Sequence, residues 1–400
     1  MRYTFASRRL PQCLQYSSRG QVQYRSSSAL RPCSLSARCQ SSLLRRPQLY
    51  SPLRPHLRVT IRYRQIHIPI PPPLIPPIVF TGLFFTLWIY KCIMMVVFQN
   101  RIIYMPSMPP GARREKIEDY AGLCGGVRWV ERRTRAADGV ELGLCVSDSG
   151  SEKGDIDVDR HVVVLYFQGD LERTSSRRVK YTLVALSYRG YWTSRGRASQ
   201  KGIELDARAA LSWIQSAYLR DNSRLSSSAQ KKHEDILVLW GQSIGAGVAT
   251  GLAAHQAELP ASEQTPIKAL ILETPFLSVR SMLVTLYPQR WLPYRYLWPF
   301  LRNWWDSETA LKTMGEAFKR REKLQERGAK GPEKMPVLIV SAANDELVPV
   351  QQADRLEEIC AEAGLEVERQ RVAGALHTDA TIRSEGRNAV VRFLKGIGES

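Results

Sequence analysis

Acidic residues are absent from the first 114 positions of this 400-residue chain; the first is Glu115. Residues 1–77 also lack lysine, yet they hold thirteen arginines. Thirteen of the nineteen formal net positive charges therefore sit in that tail. The remainder is close to balanced, so the high isoelectric point marks no nucleic-acid-binding face. Cysteine is sparse and scattered: Cys13, Cys33 and Cys39 in the tail, Cys92 in an apolar run, and Cys124, Cys145 and Cys360 beyond it. No C-x-x-C pair or zinc-ligand spacing occurs, which argues against a disulfide framework, a redox pair or a structural metal. No cofactor and no metal are expected. Histidine is also scarce, at six, which narrows the search for a catalytic base.

The tail at residues 1–53 is rich in Ser and Arg, a composition like that of a mitochondrial transit peptide, against the alternative of a disordered basic leader. The run Ile70-Pro71-Pro72-Pro73-Leu74-Ile75-Pro76-Pro77 predicts an extended, stiff, polyproline-type stretch. Ile78 to Phe98 then offers 21 residues broken only by Lys91, a length that fits one bilayer crossing, with the Lys off-centre and able to snorkel. The arginines lie mainly before this segment. The expected topology is single-pass, with the N-terminus on the cytosolic or matrix side. The organelle, mitochondrial or endomembrane, stays open.

From about residue 119 to 398, short apolar runs alternate with helical patterns, the signature of βαβ units. Val127–Arg133 and Gly139–Val146 predict an opening hairpin turned at Ala137-Asp138-Gly139. Strands are expected at His161–Phe167, Tyr181–Ser187, Ile236–Trp240, Lys268–Thr274, Pro336–Ser341 and Glu366–Arg371. Helices are expected at Ile203–Tyr218, Ile244–His255, Ala353–Ala363 and Arg387–Ile397. Unbroken apolar strands imply a sheet covered on both faces. The fold class is therefore α/β, with a mostly parallel central sheet, helices on both faces and one transmembrane helix before it.

Gly241-Gln242-Ser243-Ile244-Gly245 follows a strand directly and opens a small-residue helix. A strand-to-helix turn this tight forces Ser243 into strained angles and exposes its hydroxyl at the carboxyl edge of the sheet. The helix N-terminus then faces developing negative charge. A serine nucleophile needs a base, and the base needs an orienting acid. His56 and His67 precede the apolar segment, His161 opens a strand, His233 lies in a polar loop and His255 lies far along a helix. His377, in the loop after the last strand, remains. Asp345 heads a D-x-x-V-P turn after the preceding strand, with Glu346 as its rival. The oxyanion would be held by the Ile244 N–H and by a second N–H after the HVVVLYF strand, at Asp170.

The stretches Phe98-Gln99-Asn100 through Pro106, Ser187-Tyr188-Arg189-Gly190-Tyr191, Ser199 to Ala210, Gly241 to Gly247, Asn344 to Pro349 and Leu376-His377 jointly resemble the single-span, membrane-anchored α/β-hydrolase-domain serine hydrolases of fungi and animals. The resemblance covers about residues 98–398. It implies the α/β-hydrolase fold and a Ser243–Asp345–His377 triad. It also implies hydrolysis of ester or thioester bonds in lipid or acylated substrates, with membrane lipid as a partner. Peptidase activity, head group and acyl length stay open. Two departures stand out. The family usually has His-Gly-Asn where this chain has Gln168-Gly169-Asp170. Only Leu171–Lys180 joins two strands expected to be parallel, where a dozen or more residues are usual. That shortened crossover carries the alternative expectation, a catalytically impaired membrane scaffold.

An aromatic cluster from Phe276 to Trp305 reads as helix packing against the sheet, or as an acyl-chain wall, or as a surface leaning on a membrane. The charge-dense run Phe318–Lys334 reads as a solvated helix and loop.

Overall fold

The computed structural model describes residues 71–106, 111–119, 127–148, 160–167, 179–219, 234–260, 262–325 and 335–399. The Arg-rich tail, Cys124, His233 and the Gln168-Gly169-Asp170 loop with the crossover after it lie outside the described residues. The described residues fall into two compact units, which divide between Leu87 and Trp88.

The first helix corrects the reading of the proline run. A 3-10 turn covers Pro72–Leu74, and helix α1 runs Ile75–Val97, so Pro76 and Pro77 are helical rather than extended. Proline is tolerated in a first turn, where its missing N–H would have no partner. α1 has 23 residues and buries none of them. At 1.5 Å per residue it is about 34 Å long, enough to cross a bilayer core of about 30 Å. A short helix, α2 (Gln99–Tyr104), follows at once.

Eight strands form one sheet: β1 (Arg128–Arg135), β2 (Glu141–Asp148), β3 (Arg160–Phe167), β4 (Val179–Leu186), β5 (Glu234–Gln242), β6 (Ile267–Glu273), β7 (Pro336–Ala342) and β8 (Glu366–Val372). Their order is β1-β2-β4-β3-β5-β6-β7-β8. β1 and β2 form the antiparallel hairpin expected from Ala137-Asp138-Gly139, with Gly139 at φ 82°. β2 meets β4 antiparallel, and every pairing from β4 to β8 is parallel. This is the α/β-hydrolase fold.

β3 shows why the strands were readable. His161 through Phe167 are all buried. Val163, Leu165 and Phe167 enter one core and Val162, Val164 and Tyr166 the other. Period-two alternation with both faces covered leaves no polar face to break the run. Side chains from α3 (Gln200–Ile214), α4 (Ile244–Glu258), α6 (Ser307–Gln325) and α7 (Val350–Ala363) share the first core. α8 (Ser384–Glu399) supplies Val390, Phe393 and Leu394 to the second.

α4 starts at Ile244 as expected, but α3, α7 and α8 each start three residues earlier than the apolar periodicity indicates, because their largely polar first turns carry little periodic signal. α3 begins at Gln200 behind Ser199, whose Oγ accepts from Gly202 N. Helix α5 (Val279–Leu286), capped by a Ser278–Ser281 box, had no counterpart in the sequence reading. α6 extends the helix expected in the charged run: Phe318–Lys323 is helical with no buried residue, but the helix starts earlier, at Ser307, where Leu311, Met314 and Ala317 are buried. Residues 326–334 lie outside the described residues.

The Tyr188-Arg189-Gly190 stretch has a structural explanation. The Arg189 guanidinium donates to the buried Asp206 of α3 at 2.8 and 2.9 Å and to Asp138 of the β1–β2 turn at 2.6 Å. A Cβ at Gly202 would stand 2.5 Å from Arg189 Cδ, so the glycine makes room for this bridge.

Candidate active site

In a parallel sheet whose order reverses, the loops leaving two neighbouring strands diverge to opposite faces and open a crevice at the carboxyl edge. Here that point lies between β3 and β5. Ser243 follows β5 directly and becomes the residue before α4. Its backbone stands at φ 54°, ψ −114°. A non-glycine residue held there costs about 1–3 kcal/mol, which the surrounding structure must offset. Ser243 N donates to Glu273 O at 2.9 Å, and Ser243 O accepts from Ala246 N at 3.0 Å. The flanking glycines answer to close approach. A Cβ at Gly241 would lie 2.0 Å from Gly245 O, and one at Gly245 would lie 2.0 Å from Phe167 O. Any side chain there would push β3, β5 and α4 apart.

The loops after β7 and β8 bring in the other two groups. Ala343 N donates to Val372 O and Asn344 N to Ala375 O, which ties the loops together. His377 Nε2 lies 2.9 Å from Ser243 Oγ. His377 Nδ1 lies 3.0 and 2.9 Å from the two carboxylate oxygens of Asp345. Asp345 Oδ1 also accepts from the backbone N–H groups of Leu347 and Val348, at 2.9 and 2.7 Å. The side chains of His377 and Asp345 are only 6% and 5% exposed, whereas Ser243 is half-buried and reachable. Glu346 is exposed, and its carboxylate accepts the His377 backbone N–H at 3.0 Å, so it braces the loop and does not touch the ring nitrogens. Ile244 occupies the first position of α4, where an N–H has no intrahelical acceptor and faces outward. Asp170, the expected second oxyanion donor, lies outside the described residues.

A second Asp–His–hydroxyl line exists and makes an instructive contrast. His161 joins Asp235 at 3.0 Å and Thr182 at 2.8 Å across β5, β3 and β4. Its hydroxyl sits in a strand, without the left-handed backbone that lifts Ser243 out of the sheet, and Thr182 and His161 are both buried. It staples three strands. His255 contacts Arg208 between α4 and α3, away from Ser243. Among the described residues no cluster of His, Cys, Asp and Glu could hold a metal ion.

Sequence reasoning passed over Glu273, the last residue of β6. Its carboxylate is fully buried and accepts from Thr381 Oγ1 at 2.6 Å, Thr381 N and Gln242 Nε2 at 3.3 Å, and Trp240 Nε1 at 3.2 Å. It therefore ties the Ser243 turn to the segment four residues beyond His377. The available signal was a lone acid closing an apolar strand, Lys268 to Thr274. Burial pushes this carboxyl above the usual range, against the pull of the Thr381 and Trp240 donors and of nearby His377. The folded protein then holds the proton more tightly than the unfolded chain does. Stability contributed by the neutral acid is lost as pH rises from the ordinary carboxylate value through the folded one. Thermal scans should show the melting temperature of Glu273→Gln falling less than that of the unsubstituted protein between about pH 5 and pH 8. Equal falls would contradict this assignment.

No family model matches the chain. An uncharacterized protein of Mycobacterium tuberculosis is 27% identical over 311 residues, which covers 74% of this chain and 87% of that protein. Protein bem46 of Schizosaccharomyces pombe is 26% identical over 275 residues, covering 66% and 76%. Lysophosphatidylserine lipase ABHD12 of Danio rerio is 30% identical over 213 residues, covering 51% and 48%, so the chain spans about half the length of that relative. Among solved structures, an α/β hydrolase from Vibrio vulnificus is similar at a TM-score of 0.49 and 19% identity, covering 75% of this chain and 92% of that one.

Proposed function

Taking as premise that the chain is an α/β-hydrolase-domain protein homologous to bem46 and ABHD12, we propose that it is a membrane-anchored serine hydrolase cleaving carboxylic ester or thioester bonds of a lipid or acylated substrate. The observation that carries this is the unbroken line Ser243 Oγ–His377 Nε2–His377 Nδ1–Asp345, at 2.9 and 2.9 Å.

Asp345 holds the tautomer with the proton on Nδ1, which leaves Nε2 free to accept. As Ser243 Oγ attacks the acyl carbon, His377 takes its proton and Asp345 stabilises the imidazolium. The Ile244 N–H and an N–H of the loop after β3, at Asp170, hold the oxyanion. His377 then returns its proton to the leaving group, an acyl-enzyme remains, and water activated by His377 releases the acid. No cofactor enters any step. On this reading α1 is the anchor, and it tethers the hydrolase domain to a bilayer, where such substrates reside.

One observation favours a second reading, a catalytically impaired scaffold. Eleven residues join Phe167 of β3 to Val179 of its parallel neighbour β4, fewer than such crossovers usually take. Turnover separates the two. Purified full-length protein in detergent should hydrolyse short-chain nitrophenyl esters and at least one of a panel of lysophospholipids and acyl thioesters, with activity absent in Ser243→Ala. A folded sample inert toward the whole panel would select the scaffold.

A further inference from the structure

From Pro275 to Trp305, between β6 and α6, the chain has no Asp or Glu, four Arg and nine aromatic residues. Four of the nine tryptophans of the protein lie here. A segment that only packed against the sheet would bury its aromatics, and Phe276, Tyr294 and Trp305 are indeed buried. Trp291, Phe300 and Tyr296 are instead 70%, 60% and 55% exposed. Among the described residues, exposed large apolar side chains occur in three places only. They lie along residues 74–105, in this segment, and at Leu347, Leu376 and Ile382 in the loops that carry Asp345 and His377.

The segment is fastened to the end of α1. Lys91 Nζ lies 4.8 Å from the centroid of the Tyr294 ring. Gln99 Nε2 donates to Phe300 O at 3.0 Å, and Arg302 N donates to Gln99 Oε1 at 2.7 Å. The Arg302 guanidinium donates to the carbonyls of Val96 and Val97 at 3.0 and 2.9 Å, a cation on the negative end of the helix. Asn303 Nδ2 donates to Asn100 Oδ1 at 2.6 Å, and Tyr104 OH donates to Asn303 Oδ1 at 3.0 Å.

These contacts set the segment level with the last two turns of α1. A bilayer core takes about 20 helical residues, so the apolar run Ile78–Phe98 meets the boundary of hydrocarbon and headgroups over its last turn, at about residues 94–98. Tyr294, level with Lys91, then lies at the hydrocarbon edge. Phe300 and Arg302, level with Val96 and Val97, lie at the headgroup layer. Exposed Trp and Tyr with interspersed Arg, and no acid, match that layer: the rings are amphipathic and the guanidinium pairs with phosphate.

We propose that residues 284–300 form a cap embedded in the bilayer leaflet at which α1 emerges, taking phospholipid headgroups and upper acyl chains as its ligand. It seats the hydrolase domain on the lipid. The proposal rests on the membrane-anchor reading of α1 given above.

Depth-dependent quenching tests it in full-length protein held in phosphatidylcholine nanodiscs. A fluorescent non-natural residue is placed at Trp291 or Phe300, at Phe85 as the α1 reference, and at Glu358, exposed on α7, as the water-side reference. Lipids brominated high on the acyl chain should lower emission about twofold or more at positions 291 and 300, lipids brominated near the acyl terminus should do so at position 85, which lies mid-bilayer, and neither should change position 358. An unquenched pair at 291 and 300 would overturn the cap. An unquenched position 85 would overturn it together with the anchor. Trp291→Asp and Phe300→Asp should cut hydrolysis of a bilayer-embedded ester about tenfold while leaving a soluble short-chain ester unaffected. Parallel losses on both esters would also overturn it. If no ester of either kind were turned over but 291 and 300 were quenched, the hydrolase reading would fail and the cap would stand.

Discussion

Replacing His377 with alanine is expected to lower kcat on a soluble ester by a factor on the order of 10⁶, about as much as losing the whole triad. Ser243 Oγ has one side-chain partner among the described contacts, His377 Nε2 at 2.9 Å. Without it the hydroxyl proton has no acceptor at the moment of attack, and the leaving group has no acid. None of the other described histidines can substitute. His161 is bound within the sheet by Asp235 and Thr182, and His255 faces Arg208. The check is steady-state turnover with far-ultraviolet circular dichroism on the same sample. A folded variant that retained more than about a tenth of its activity would remove His377 from the mechanism.

Asp345→Asn should lower kcat by about 10⁴ with the fold intact. The reason is tautomeric. Leu347 and Val348 N–H groups point at Oδ1 at 2.9 and 2.7 Å, so an asparagine would place its amide oxygen there. Its NH₂ would then take the place of Oδ2, 2.9 Å from His377 Nδ1. Two donors cannot face each other, so the ring proton moves to Nε2, which can no longer accept from Ser243. Glu346→Gln gives the contrast. Glu346 accepts only the His377 backbone N–H, a role the amide oxygen keeps, so less than about a tenfold loss is expected. Turnover measured side by side decides between them, and a larger loss at Glu346 would reverse the assignment of the acid.

The sheet was largely legible, because strands buried on both faces carry few polar residues and read as unbroken apolar runs. The runs His161–Phe167, Ile236–Trp240 and Pro336–Ser341 each lie within an observed strand. The Gly241–Gly245 turn was legible because its glycines answer to backbone collisions near 2.0 Å that any Cβ would cause. His377 came by elimination among six histidines, which worked because histidine is scarce. Two of the features that escaped depend on contacts between distant residues. Glu273 takes its meaning from Thr381, 108 positions away. Arg302 and Asn303 take theirs from Val96 to Asn100. In α6 the period of Leu311, Met314 and Ala317 was present but submerged in charge, and the prolines of α1 hid a helix start behind an extended-chain signature.

The central claim is that Ser243 is a nucleophile activated by His377. The most direct measurement is active-site labelling of the full-length protein with a fluorophosphonate, followed by mass spectrometry of the adduct. The account predicts one phosphonylated peptide, the one containing Ser243, with labelling abolished in Ser243→Ala and in His377→Ala. Labelling of a different residue, or undiminished labelling of Ser243→Ala, would contradict it.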